Sequence, residues 1–144
     1  MDSSLALTRL EAAMPLYGHE LTLARSPLEA GLERFVDLDH DFVGAAALRA
    51  LARGGVTERL VGLMGNGGRS PRQGYTVYDL EGVAVGVVTS GGPSPTLHRP
   101  IAMAFVKIAC SAPGSSLQVD VGGRMERLDV VALPFYRRSR RPAP

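Results

Sequence analysis

Leu60-Val61-Gly62-Leu63-Met64, running into Gly65-Asn66-Gly67-Gly68, is the stretch at which the chain changes its period. Upstream of Glu58 the apolar residues recur at helical spacing. From Glu58 onward they alternate, or run in short blocks bounded by turn residues, which is the mark of strands. Tyr75-Thr76-Val77-Tyr78 and Val83 to Thr89 read as two strands joined across the hairpin connection Asp79-Leu80-Glu81-Gly82. Gly86, inside the second, marks a bulge or tight bend. Ser90-Gly91-Gly92-Pro93-Ser94-Pro95 reads as a turn cluster. Pro100 to Val106 is a further strand, Ala112-Pro113-Gly114 turns the chain, and Leu117 to Val121 pairs with Glu126 to Leu133 across Gly122-Gly123. Short strands recurring about every ten residues predict a small antiparallel barrel, closed or nearly so.

The upstream segment reads as helical. Leu7, Leu10, Glu11 and Met14 suit one helix, which Pro15 ends. Ser26-Pro27-Leu28-Glu29 combines a possible N-cap, proline at the first helical position and an acid in the first turn. Asp41 to Arg53 is the best helix, with Asp41 as its cap, Arg49 and Arg53 outward, and Gly54-Gly55 closing it. The class is therefore α+β: an N-terminal helical segment over residues 1–55, a small antiparallel Greek-key-like β-barrel over 56–136, and a basic tail over 137–144.

Composition narrows the function classes. The 144 residues are 45% hydrophobic and 21% charged, which excludes a disordered chain or a collagen. Mostly apolar stretches such as Val83 to Val88 are too short to span a bilayer, so no membrane association is expected. Sixteen basic residues against fourteen acidic give +2, and fifteen of the sixteen are Arg. That balance predicts no nucleic-acid partner, because a dedicated binder shows a basic face. Cys110 is the only cysteine and no leader pattern opens the chain, so the expected compartment is the reducing cytoplasm.

Taken in order, several motifs resemble the glycine-cleavage T-protein family of folate-dependent aminomethyltransferases. Arg9-Leu10-Glu11-Ala12-Ala13-Met14-Pro15-Leu16-Tyr17-Gly18-His19-Glu20-Leu21 resembles the family's "RLEAGxxLYGxEL" segment. Ser26 to Leu32 resembles "TPLEAGL", Asp41 to Leu48 "DFIGxxAL", Gly86 to Leu97 "GxVTSGxxSPTL", and Leu133-Pro134-Phe135-Tyr136 the closing "LPFY". The resemblance covers roughly residues 9–138 and concerns only the C-terminal part of the family. It implies that residues 1–55 are the C-terminal end of a folate-binding domain and that 56–136 are the family's C-terminal barrel. It also implies that the acid credited with catalysis lies in a region this sequence does not contain, so no catalytic residue is assigned. Leu5 stands where the family's "ARDxLR" pattern carries a substrate-binding Arg.

The resemblance implies tetrahydrofolate as cofactor in a complete assembly. The partner is a folate-binding half or a second copy, with a lipoyl carrier protein as a further partner. Met14 and Tyr17 are candidates for lining the substrate cavity. Arg137 and Arg140, in the basic tail, are candidates for the folate glutamate, since the guanidinium fork matches a carboxylate bidentately. On this reading Leu7, Leu10, Met14, Leu16 and Leu21 form an exposed apolar face, and residues 1–25 are loosely held on a stable barrel. The other readings are a non-catalytic binding or scaffold module, or the C-terminal part of a folate-dependent methyltransferase or demethylase.

Other features carry no chemistry of their own. His19, His40 and His98 lie too far apart for a local metal motif, so no metal site is predicted. Gly65 to Ser70 lacks the Lys-Ser/Thr ending of a phosphate loop and leads into a strand. Thr89 to Pro95 has hydroxyls without a base beside them, and Cys110 has neither a base nor a second cysteine nearby.

Overall fold

The computed structural model describes residues 3–138. Helix α1 spans Ser3–Glu11 and helix α2 spans Ala45–Gly54. The strands are β1 (Glu58–Gly65), β2 (Thr76–Tyr78), β3 (Ala84–Ser94), β4 (Arg99–Lys107), β5 (Ser116–Asp120) and β6 (Met125–Val131). They close in the order β1-β4-β3-β2-β5-β6, every pair antiparallel. Strands β2, β3 and β4 follow one another by hairpins, and β1 returns to lie beside β4, which is a Greek key. Closure through β1 and β6 leaves no sheet edge to be shielded.

Valine and leucine fill the barrel because a pleated wall favours branched side chains on its inner face. Val61, Leu63, Val77, Val88, Val119 and Leu128 belong to this core, each nearly or fully buried. Strand β4 is buried along both faces from Pro100 to Val106. Ala102, Ala104 and Val106 point into the barrel, while Ile101 and Met103 join a second cluster on the outside with Leu10 of α1. The guanidinium of Arg25 lies 4.2 Å from the ring centroid of Phe105 and pairs with Glu58. The uninterrupted apolar run of β4 therefore has a cause: the N-terminal segment roofs its outer face.

That finding corrects the expectation of an exposed apolar face with Leu10 outward. Leu10 is 2% exposed, Leu7, Leu16 and Leu21 are half-buried, and only Met14 of the five is exposed.

Three local expectations also change. Ser90 to Ser94 is not a turn but the second half of β3, and the turn occupies only Pro95 to His98. A Cβ at Gly91 would collide with the Pro71 carbonyl, and one at Gly92 would press on Leu7. These glycines serve close packing against the neighbouring chain rather than a reversal of direction. The register shifts between Val88 and Ser90 facing β4, and again next to Gly86 facing β2, the latter as the sequence suggested. Asp41 does not cap α2; the helix starts after Gly44 in the left-handed region, without a side-chain cap. Ser26 and Glu29 do form reciprocal capping-box bonds, but the helix they open stops after about one turn.

Candidate functional site

The motifs that stand far apart in sequence meet along the outer edge of β3. From α1 comes Glu11, 6% exposed, which accepts hydrogen bonds from Ser94 Oγ, from the Thr96 amide at 2.9 Å and from Thr96 Oγ1 at 2.9 Å. From the loop after α1 comes Glu20, fully buried. It accepts from Ser90 Oγ at 2.5 Å and from the Leu16 amide at 3.0 Å, and it pairs with Arg9 at 3.4 Å. Arg9 also donates to Ser90 Oγ at 2.9 Å and to the Met14 carbonyl at 3.0 Å. His19 Nδ1 lies 2.8 Å from the Thr89 carbonyl, which can only accept, so this nitrogen carries the proton.

Every buried side-chain nitrogen and oxygen among the described residues has a partner. Burial alone would raise the Glu11 pKa, but the bonds from Ser94 and Thr96 outweigh it and hold the carboxyl below the usual carboxylate range. The Ser90 hydroxyl donates to Glu20 and accepts from Arg9. His19 Nδ1 also lies 3.4 Å from it, so the fold sets two bases beside a hydroxyl that the sequence left without one; but that nitrogen is protonated, and Glu20 is already held by Arg9 and the Leu16 amide. The arrangement is suited to fixing one backbone against another.

What it fixes is the loop carrying two candidate residues. With the Met14 carbonyl and the Leu16 amide both held, Met14 (60% exposed) and Tyr17 (74% exposed) project outward. Tyr17 is therefore not a core residue. Arg137 is exposed and follows Tyr136, whose amide donates to the Glu11 carbonyl at 3.1 Å, so the end of the barrel chain leaves from the same junction. Arg140 lies outside the described residues.

Arg9, Glu11, Glu20, Ser90 and Ser94, which organise this junction, lie within the motifs, but their pairing depends on contacts some seventy to eighty-five positions apart. Two buried acids spaced against a hydroxyl-rich Thr-Ser-Gly-Gly-Pro-Ser strand were the available signal. Where β3 turns into β4 an open depression of about 460 Å3 is bordered by Leu7, Gly68, Pro93, Ser94, His98 and Arg99. No helix among the described residues is long and apolar enough to cross a membrane.

Comparison with known proteins accounts for this architecture. Residues 58–137 match the family model described as the glycine cleavage T-protein C-terminal barrel domain. The aminomethyltransferase of Saccharopolyspora erythraea is 53% identical over 133 residues, a match covering 91% of this chain and 36% of that protein. That of Streptomyces avermitilis is 53% identical over 138 residues, covering 92% and 37%. The crystal structure of glycine cleavage system aminomethyltransferase T from Bartonella henselae superposes with a TM-score of 0.86 at 32% identity, covering 91% of this chain and 37% of that one. The chain thus spans little more than a third of the length of these relatives. Its barrel, its strand pattern and its motif order together place it in the glycine cleavage T-protein family, whose C-terminal barrel domain it carries.

Proposed function

We propose that this chain works as the C-terminal part of a tetrahydrofolate-dependent aminomethyltransferase, with the folate-binding part supplied in trans. The observation that carries the reading is the junction. Buried charges lock the loop of residues 14–20 onto the barrel, yet that loop turns Met14 and Tyr17 to solvent. Leu5, Leu23, Phe35 and Val43 in the same N-terminal segment are also exposed. Large apolar side chains gathered on one segment mark a surface that another body covers. On this reading Met14 and Tyr17 face the substrate cavity of the assembly, and Arg137 and Arg140 meet the carboxylates of the folate glutamate. A lipoyl carrier protein presents the aminomethyl group to the whole assembly, in the cytoplasm.

The test mixes the purified chain with the folate-binding part of the Saccharopolyspora relative. Light scattering follows association, calorimetry follows tetrahydrofolate binding, and a transfer assay follows chemistry. The chain alone is expected not to bind tetrahydrofolate at low micromolar concentration, whereas the mixture binds it and turns over. A homodimer that ignores the added part, or a monomer that does, would defeat the proposal. It would favour a non-catalytic scaffold module, a reading supported by the purely structural use of every polar group at the junction. A mixture that binds folate but acts only on a methylated donor would point to the demethylase branch instead.

A further inference from the structure

Asn66 is the only asparagine of the chain, and it precedes Gly67 in the loop between β1 and β2. Both residues are exposed. The ladder of β1 ends at Gly65 facing Leu128, and among the described residues none of the backbone turn bonds engages the Gly67 amide. A Cβ built on Gly67 would meet nothing within 4 Å, so the loop is not packed against other residues at this position. Across the neighbouring hairpin, Arg99 Nη2 donates to the Asn66 side-chain oxygen and Arg99 Nη1 contacts the Met64 sulfur at 3.2 Å; among the described residues no carboxylate pairs with this guanidinium. These features do not depend on the proposed enzymatic role.

We propose that Asn66-Gly67 is a self-modification site at which Asn66 deamidates. The Gly67 nitrogen, on losing its proton, attacks Asn66 Cγ. The bond from Cγ to the side-chain nitrogen breaks, ammonia leaves with a proton, and a five-membered succinimide forms. Water then opens the ring at either carbonyl. One water is consumed, one ammonia is released, a carboxylate is gained, and nothing is oxidised or reduced. Arg99 assists because the oxygen it already holds is the one that becomes negative in the tetrahedral stage, and a preplaced cation stabilises that charge.

The product matters to the surface it sits on. Opening at the main-chain carbonyl routes the backbone through the former side chain and lengthens the loop by a methylene. Opening at the side-chain carbonyl sets a carboxylate against Arg99, a charge-assisted pair in place of a neutral contact. Gly67 and Gly68 border the depression along β3, so either product changes its rim.

The full chain is incubated in warm, mildly alkaline buffer and its peptides are mapped by mass spectrometry. Asn66 is expected to convert to a mixture of aspartyl and isoaspartyl products well before Gln73. Gln73 also precedes a glycine, but its amide is tied to the Gly18 carbonyl at 3.1 Å and it must close a six-membered ring. Gly67→Ala is expected to slow conversion at least about tenfold, with circular dichroism confirming that the barrel is intact. Arg99→Gln is expected to slow it severalfold. An Asn66 amide that lasts as long as that of Gln73, or a Gly67→Ala rate equal to the parent's, would overturn the site. An unchanged rate in Arg99→Gln would overturn the role given to the guanidinium.

Discussion

Replacing Glu20 by Ala is the sharpest probe of how the N-terminal segment is held. The carboxylate is fully buried and takes three hydrogen bonds, from Ser90, the Leu16 amide and Arg9. Truncation leaves the Ser90 hydroxyl and the Leu16 amide without this acceptor, at about 1–3 kcal/mol for each buried group left unsatisfied. Arg9 retains the Met14 carbonyl and is partly exposed, so its own loss is tempered by water. Together these give about 3–5 kcal/mol, the range found when one partner of a buried ion pair is removed. The loss falls on the junction and not on the valine core, so it should appear as local undocking. Hydrogen exchange is the assay: residues 4–21 should lose protection while Val61, Ala104 and Val130 keep theirs. Glu20→Ala combined with Ser90→Ala should cost less than the two single changes summed, because the pair is removed together. A loss below about 1 kcal/mol, or a uniform loss of protection across the barrel, would refute the reasoning.

Four further outcomes follow from the same structure. Because the folded Glu11 carboxyl sits below its ordinary pKa, its contribution is fully present above the ordinary carboxylate value and drains away as pH falls from there through the lower folded value; acid denaturation of Glu11→Gln should therefore show a flatter low-pH limb than the parent. Gly91→Ala drives a methyl into the Pro71 carbonyl and should cost about 1–3 kcal/mol or more by thermal or urea unfolding. Gly54→Ala, at the open end of α2, should instead be neutral or stabilising by up to about 1 kcal/mol. Arg25→Ala loses the Phe105 ring face and the Glu58 and Glu29 carboxylates, and should cost about 1–2 kcal/mol with exchange rising first in residues 22–32.

The sequence by itself determined whatever depends on near neighbours. The change of period at Glu58, the hairpins at Asp79–Gly82 and Gly122–Gly123, and the run of branched residues from β1 to β6 all report interactions within a few residues, and they suffice for an α+β barrel. The capping box of Ser26 and Glu29 was legible for the same reason. Tertiary structure decided the rest. Gly91, Gly92 and Pro93 carry turn chemistry when read locally, yet they lie in a strand; Pro71 and α1 press on it at Gly91 and Gly92, where only a residue without a Cβ fits. Asp41 had the right chemistry for a cap, but the chain enters α2 through Gly44 instead. Nothing local to Glu11 or Glu20 marks either carboxylate as buried. They are buried because Ser94, Thr96 and Ser90, some seventy to eighty-five positions away, supply the hydrogen bonds that make a buried carboxylate tolerable. A local pattern reports what a residue can do; whether a charge is buried depends on which distant donors the fold sets against it.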